Sequence, residues 1–273
     1  MSKIIEKPRT FTTRFQTSSE SWNGVNSDAD VALESSKKYN TEHTELLITV
    51  DDFLDAIDDC SIALEEPRAS KNVTAYYLLN KELSRQGITV TLSGDGGDEL
   101  FCGYTRYLMG YSLWKKINKL PSTIRRGIVH LIRNTPTKLV RLGESVLPSK
   151  ISQMNLADRL PKLADTLSHQ EPLAFYQQLV SQIRSPSNLL VEGNEPPVFL
   201  DSSEDFSEFC DFREVMMYLD MKTYLPDDIL TKVDRASMSL GLEARVPFLD
   251  HELVEFVWQM PMKFKFRKGQ GKW

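Results

Sequence analysis

The stretch that most limits what this chain can fold into runs from Gly87 to Phe101, GITVTLSGDGGDELF, an apolar strand that empties into a loop of three glycines and three carboxylates. Ile88, Val90 and Leu92 alternate with threonines at the strand period, and a helical pattern begins near Asp98. In open α/β sheets, ligands sit at such carboxyl ends of strands. Glycines let the backbone approach an anion, the amides at a helix start point at it, and a hydroxyl adds a donor, which makes Ser93, Gly94, Gly96 and Gly97 candidates for phosphate contact. Asp95, Asp98 and Glu99 would repel a bare phosphate, so a nucleotide here calls for a hard cation such as magnesium between them. The alternative is a glycine-rich turn whose aspartates cap the helix. A dinucleotide fingerprint is excluded because Glu99 stands where its third glycine belongs, and a Walker A loop because no Gly-Lys-Ser/Thr follows. The calcium-loop pattern fails for want of alternating carboxylates before Asp95.

Around this loop, the first hundred residues alternate strand-like and helix-like patterns. Strands are predicted at Phe11–Phe15, Glu45–Thr49 and Ile88–Leu92, and helices at Asp28–Tyr39, Asp51–Ile62 and Val73–Arg85. Strands separated by helices of this length predict a parallel sheet of crossover units. Beyond Asp98 the pattern is helical, with apolar positions at Ile229, Val233, Ala236 and Leu240 and again at Leu253, Val254, Phe256 and Val257. The expected fold is α/β, a partial parallel sheet with flanking helices over residues 1–106 followed by a mostly helical part over 107–273. Loops are expected at Ser18–Ser27, Ser185–Glu204 and Arg267–Lys272.

A second constellation spans YLPDDILTKVDR from Tyr224 to Arg235 and continues through GLEARVPFLDH from Gly241 to His251. Asp228 and Lys232, four apart, share one face of a helix starting after Pro226, and Asp234 and Arg235 lie off that face. Two readings stand. The residues form a surface ion pair with Gly241 capping a helix C-terminus and Asp250 an N-terminus, or they supply cations that hold a pyrophosphate leaving group.

Composition narrows the partners. With 33 Lys/Arg against 38 Asp/Glu the formal charge is −5, which argues against nucleic acid as the main partner. Residues 107–150 hold nine Lys/Arg and one acid, and 191–220 hold nine acids and one base; each reads as a solvated helix face, or the two as surfaces that face each other. Cys60, Cys102 and Cys210 are too far apart for a zinc or disulfide framework, and the four histidines show no metal spacing. No apolar run approaches the roughly 18 residues of a membrane span, and the first residues lack the core of a secretory signal; a cytoplasmic protein is expected.

The two motifs together, SGDGGDELFCGY from Ser93 to Tyr104 and LPDDILTKVDRASM from Leu225 to Met238 running into LEARVPFLDH from Leu242 to His251, resemble the synthetase domain of glutamine-hydrolysing asparagine synthetases. TEHTE at Thr41–Glu45, LEEP at Leu64–Pro67 and the final GKW at Gly271–Trp273 add to the likeness, which is weakest from about 107 to 215. The resemblance implies an ATP pyrophosphatase fold of the adenine nucleotide alpha hydrolase type. It implies an enzyme that adenylates the side-chain carboxylate of aspartate with ATP and magnesium and lets ammonia, released from glutamine by a glutaminase domain, displace AMP. It also leaves a homodimer open. It places Ser93, Gly94, Gly96 and Gly97 at ATP, together with Thr13, where the family uses an apolar residue; Arg14 follows in place of a glycine. Asp95 stands for a glutamate tied to forming the aspartyl-adenylate, and Asp98 for a magnesium-associated aspartate. Lys232 is expected to neutralise phosphate charge, with Glu99, Asp228, Asp234, Arg235, Glu243 and Arg245 supporting the site. Cys102 replaces a residue that is commonly glycine. The sequence holds no Ser-Gly-Gly-x-Asp-Ser pyrophosphate loop, so the chain is expected to be an internal fragment of a synthetase, incomplete at both ends. The same loops would suit a relative that amidates another carboxylate or closes a lactam, or a catalytically dead nucleotide-binding module.

Overall fold

The structure is a computed structural model that describes residues 6–16, 27–66, 71–136, 138–140, 156–169, 171–181, 183, 198–199 and 206–273. The chain divides into two compact units, Met1–Asp95 with Asp227–Pro247, and Gly96–Pro226 with Phe248–Trp273. This division is discontinuous and differs from the expected boundary after residue 106, because the second motif returns to the first unit.

In the first unit, strand β1 (Arg9–Phe15) pairs in parallel with β2 (Glu42–Ile48), Arg9 opposite Glu42 and Phe15 opposite Ile48. The crossover between them carries helix α1 (Ser27–Tyr39), with acids in its first turn and lysines in its last, as the helix dipole favours. The predicted helix over 51–62 is two helices, α2 (Val50–Asp55) and α3 (Ile57–Leu64). The predicted second strand stops one residue early, since Thr49 caps α2: its hydroxyl accepts from Asp52 N at 3.1 Å while Asp52 Oδ2 accepts from Thr49 N at 2.9 Å. Helix α4 (Lys71–Arg85) follows. Ala56, Cys60, Leu64, Val73, Tyr77 and Ala236 form this unit's buried cluster.

Strand β3 (Val90–Leu92) pairs in parallel with β4 (Glu243–Arg245) as a separate two-stranded sheet. The apolar face that its alternation predicts is open, with Val90 41% and Leu92 49% exposed. The second motif supplies a π-helical turn, Leu225–Leu230, which leads into the helix Thr231–Met238. Gly241, at φ +72°, closes that helix: its N–H donates to Met238 O and Leu242 N–H donates to Ser237 O, both at 3.0 Å, the paired bonds of a glycine-terminated helix. The capping role read from the sequence for Gly241 is therefore present.

Among the described residues, the regular structure of the second unit is helical apart from one short hairpin. Helix α5 (Gly97–Leu100) is followed by helices Thr105–Ile117, Ser122–Asn134, Leu156–Ser168, Pro172–Val180, Phe212–Lys222 and His251–Gln259. Asp250 caps the last of these, accepting from Glu252 N and Leu253 N. Tyr107, Tyr176, Val215, Met216, Met217 and Leu219 build one buried cluster, and Ile117, Val129, Ala164, Leu167 and Phe175 a second, sealed by the rings of Trp114 and Phe212. The loop expected at 267–272 is instead mostly the hairpin of β5 (Phe266–Arg267) and β6 (Gln270–Gly271), turned by Gly269 at φ +83°. The predicted loops at 18–27 and 185–204 fall almost wholly outside the described residues, as do parts of the acidic 191–220 segment. Among the described residues, no helix is long and apolar enough to cross a membrane.

Candidate functional site

The short β3–β4 ladder brings residues of the two motifs, about 150 positions apart, into contact within the first unit. Glu243 N donates to Thr89 O at 2.8 Å, and Ser93 N donates to Arg245 O at 2.9 Å, extending the ladder to the first residue of the glycine loop. Parallel strands present their carboxyl ends on the same side, so the Ser93 loop and the end of β4 emerge together. Ser93 Oγ donates to Asp95 Oδ2 at 2.8 Å and so sets the direction of that carboxylate. Gly94 is exposed, and a side chain there would enter open space. Its bare backbone is thus available to a ligand.

The other first-unit candidates are placed less uniformly. Lys232 and Asp228 do share a face, Nζ to Oδ2 at 3.5 Å, and the ammonium is mostly buried while the carboxylate is about one third exposed. Arg235 turns to the body of its own unit, donating to Leu64 O at 2.6 Å and pairing with Glu66 at 3.2 Å. That accounts structurally for the LEEP segment that the sequence singled out; Pro67 lies outside the described residues. Asp234 is exposed. Arg245 and Glu243 bind each other at 2.8 Å on the open surface, which holds the Glu243 carboxyl below its usual range. Thr13 sits in mid-strand opposite Leu46, and Arg14 is clamped by Glu45 at 2.6 Å and Asp30 at 2.8 Å. Arg14 thereby serves its own sheet and helix α1.

The chain passes into the second unit between Asp95 and Gly96. Gly96, at φ +81°, leads into α5, and a β-carbon there would strike the Leu249 side chain. In this unit Asp98 Oδ1 meets Lys272 Nζ at 2.9 Å. Glu99 points inward: it is 1% exposed and accepts from Tyr104 OH at 2.9 Å, and burial pushes its carboxyl up. The sequence places Glu99 among residues supporting the site, and α5 turns its side chain into the core of the second unit. Each of the three loop carboxylates has a partner in its own unit, and among the described residues no group of three potential ligands could hold a metal ion. The described residues thus do not fit a resident magnesium ion, and the function proposed below is built without one.

Cys102 is fully buried at φ +55°, a conformation that glycine adopts without strain. The geometry explains why a related chain would favour glycine there. Burial pushes the Cys102 thiol up to about 11.

Two features were not legible in the sequence. Asp220, 1% exposed, accepts from Arg106 Nη2 and Tyr107 OH, each at 2.6 Å, and from Tyr176 OH at 2.7 Å. The Arg106 guanidinium also stacks on Tyr104 and Tyr224, 4.0 and 4.3 Å from the ring centres. These residues come from helices far apart in the chain, so no local spacing reveals them. Lys265 is wholly buried with its ammonium over the Trp258 ring at 4.8 Å and, among the described residues, no hydrogen-bond acceptor.

Comparison with known proteins agrees with the two motifs. The family described as asparagine synthase matches residues 1–273. An asparagine synthetase (glutamine-hydrolysing) 1 from Bacillus subtilis is 28% identical over 90% of this chain and 36% of its own length. A second B. subtilis protein, asparagine synthetase (glutamine-hydrolysing) 3, is 23% identical over 90% of the chain and 32% of its own length. Asparagine synthetase B (glutamine-hydrolysing) of Escherichia coli is 35% identical over 28% of the chain and 14% of its own length. The chain thus spans less than two fifths of each of these relatives.

Proposed function

The chain belongs to the asparagine synthase family, and on that premise we propose that it carries the synthetase half of an ATP-dependent amide ligase that converts aspartate to asparagine. The observation that supports this most is the β3–β4 ladder, which joins the Ser93 loop of the first motif to Arg245 of the second at the carboxyl ends of two parallel strands. The names of the relatives supply the amide product and glutamine as the nitrogen source.

In the proposed reaction an oxygen of the aspartate β-carboxylate attacks the α-phosphorus of ATP and pyrophosphate leaves with the bonding pair. Ammonia then attacks the activated carbonyl, loses a proton, and AMP departs with the electrons of the broken C–O bond. Within this scheme the exposed backbone at Gly94 and the Ser93 hydroxyl lie against the nucleotide. Asp95, aimed by Ser93, orients the reacting aspartate, for which position matters more than acidity. The Lys232 ammonium, held loosely by Asp228, neutralises charge on the phosphates. ATP, aspartate and glutamine-derived ammonia are the proposed substrates, and a glutaminase domain is the proposed partner.

Labelled pyrophosphate entering ATP is the test, run with a panel of carboxylic amino acids on this chain carried within a synthetase that supplies the pyrophosphate loop its own sequence lacks. Exchange that requires aspartate is expected. Exchange driven by a different carboxylate would move the chain to another amidation within the family, and no exchange with any of them would refute ligase activity.

A further inference from the structure

The basic stretch that the sequence shows over residues 107–150 takes a definite form in the second unit. Helix Ser122–Asn134, STIRRGIVHLIRN, holds three arginines and no acid. Its apolar side, Ile128, Val129 and Ile132, joins Ala164 and Leu167 of helix Leu156–Ser168 in one buried cluster. Beside this contact lies a cavity of about 420 Å³, lined by Arg125, Arg126, His130 and Arg133 and backed by the buried Val129 and Leu167.

The positive charge here is only partly answered. Arg133 Nη2 meets Asp165 Oδ1 at 3.0 Å and also donates to Ser168 Oγ at 3.4 Å. Arg125 Nη1 donates to a neutral partner, His169 O, at 3.4 Å. The Arg126 side chain is exposed and, among the described residues, has neither an ion pair nor a hydrogen bond. Three guanidinium groups therefore share one paired carboxylate among the described residues. Arg125 and Arg126 also stand near the helix start, where the backbone dipole disfavours cations, and no acid three or four residues away offsets them. Helix stability does not account for that placement.

An anion accounts for it. Guanidinium forks match the oxygens of a phosphoryl group, and the apolar back of the cavity strengthens such a contact by excluding water. The volume falls in the range of small-molecule sites, roughly 300–1,000 Å³, and leaves room beyond a bare phosphate ion for a carbon skeleton against Val129 and Leu167. Asn134 Nδ2 donates to His130 Nε2 at 2.9 Å, which fixes the imidazole ring at the cavity wall. We propose that this cavity binds a small organic phosphate monoester, its phosphoryl group held by Arg125 and Arg126 and its carbon part resting on the apolar back. The site is separate from the ligase reading and does not depend on it.

Phenyl phosphate is the probe, titrated calorimetrically into the full chain at physiological ionic strength. Saturable binding at one site is expected, roughly tenfold tighter than that of inorganic phosphate because the ring leaves water. Arg125→Gln and Arg126→Gln should each weaken it by roughly tenfold, the effect of losing a hydrogen bond to a charged group. Arg126→Lys keeps the charge without the fork and should fall between parent and Arg126→Gln. Arg126 is exposed, so these changes leave the fold in place, and an unchanged urea midpoint checks this. Lys232→Met, in the first unit, should leave phenyl phosphate binding as it is. Absence of saturable binding overturns the proposal, as does parent affinity in both arginine variants, loss in Lys232→Met, or inorganic phosphate binding as tightly as the ester. A face that only gathers polyanions would bind a short oligonucleotide with a steep salt dependence and leave phenyl phosphate in solution, which also overturns it.

Discussion

Replacing Asp220 by alanine should destabilise the second unit by about 3–5 kcal/mol, the range for breaking a buried ion pair by removing one partner. The carboxylate is 1% exposed and accepts from four donor groups: Arg106 Nε and Nη2, Tyr107 OH and Tyr176 OH. After the substitution the two phenols, at 0% and 1% exposure, are left without an acceptor, each at about 1–3 kcal/mol if nothing replaces it. Arg106 has a partial escape, being 26% exposed and stacked on two tyrosine rings, which keeps the total near the lower half of the summed range. Tyr176→Phe removes one donor and should cost about 1–2 kcal/mol. Urea unfolding followed by tryptophan fluorescence is the assay; Trp114, Trp258 and Trp273 all lie in the second unit. Removing Arg106 as well, in Arg106→Met with Asp220→Ala, should cost less than the two single changes together, because no unpaired charge remains. A loss below about 1 kcal/mol for Asp220→Ala, or strict additivity in the cycle, would refute the idea that this network holds the helices together.

Lys265→Met should stabilise the protein, since it replaces a buried ammonium that has no acceptor among the described residues by an apolar chain of similar length. Burial lowers the lysine's affinity for its proton, so the parent loses stability as pH falls from the ordinary lysine value of 10.5 to the depressed one, and the advantage of Lys265→Met should widen over that window and level off below it. Gly96→Ala should destabilise by about 1–2 kcal/mol in the same urea assay, from the left-handed backbone and the collision with Leu249. With a disulfide reagent at pH 8, Cys210 should react fast while the buried Cys60 and Cys102, whose thiols burial pushes up, react only on unfolding; three fast thiols would contradict their placement.

How far the sequence could be read depended on whether a residue's role is set locally. The glycine-loop motif, the Asp228–Lys232 spacing, the Gly241 terminus and the Asp250 cap are short-range patterns, and each has the expected local form. The division of the chain was not local. Nothing within residues 227–247 signals a return to the first unit, because that return is fixed by pairing with β3, whose partner strand is only three residues long. Length misled at α2 and α3, where one apolar period continued across a break at Ala56, which ends the first helix and starts the second. In the loop, the sequence showed three carboxylates but not their directions. The hairpin that brings Lys272 to Asp98 and the helical turn that buries Glu99 decided those.

Aspartate labelled with 18O in its β-carboxylate gives the most direct measurement. If the carboxylate attacks the α-phosphorus of ATP, amide formation must leave one labelled oxygen in AMP, and mass spectrometry of the nucleotide product will show it, with the label absent from pyrophosphate. Label in inorganic phosphate with ADP as the nucleotide product, or AMP free of label during aspartate-dependent turnover, would contradict adenylation.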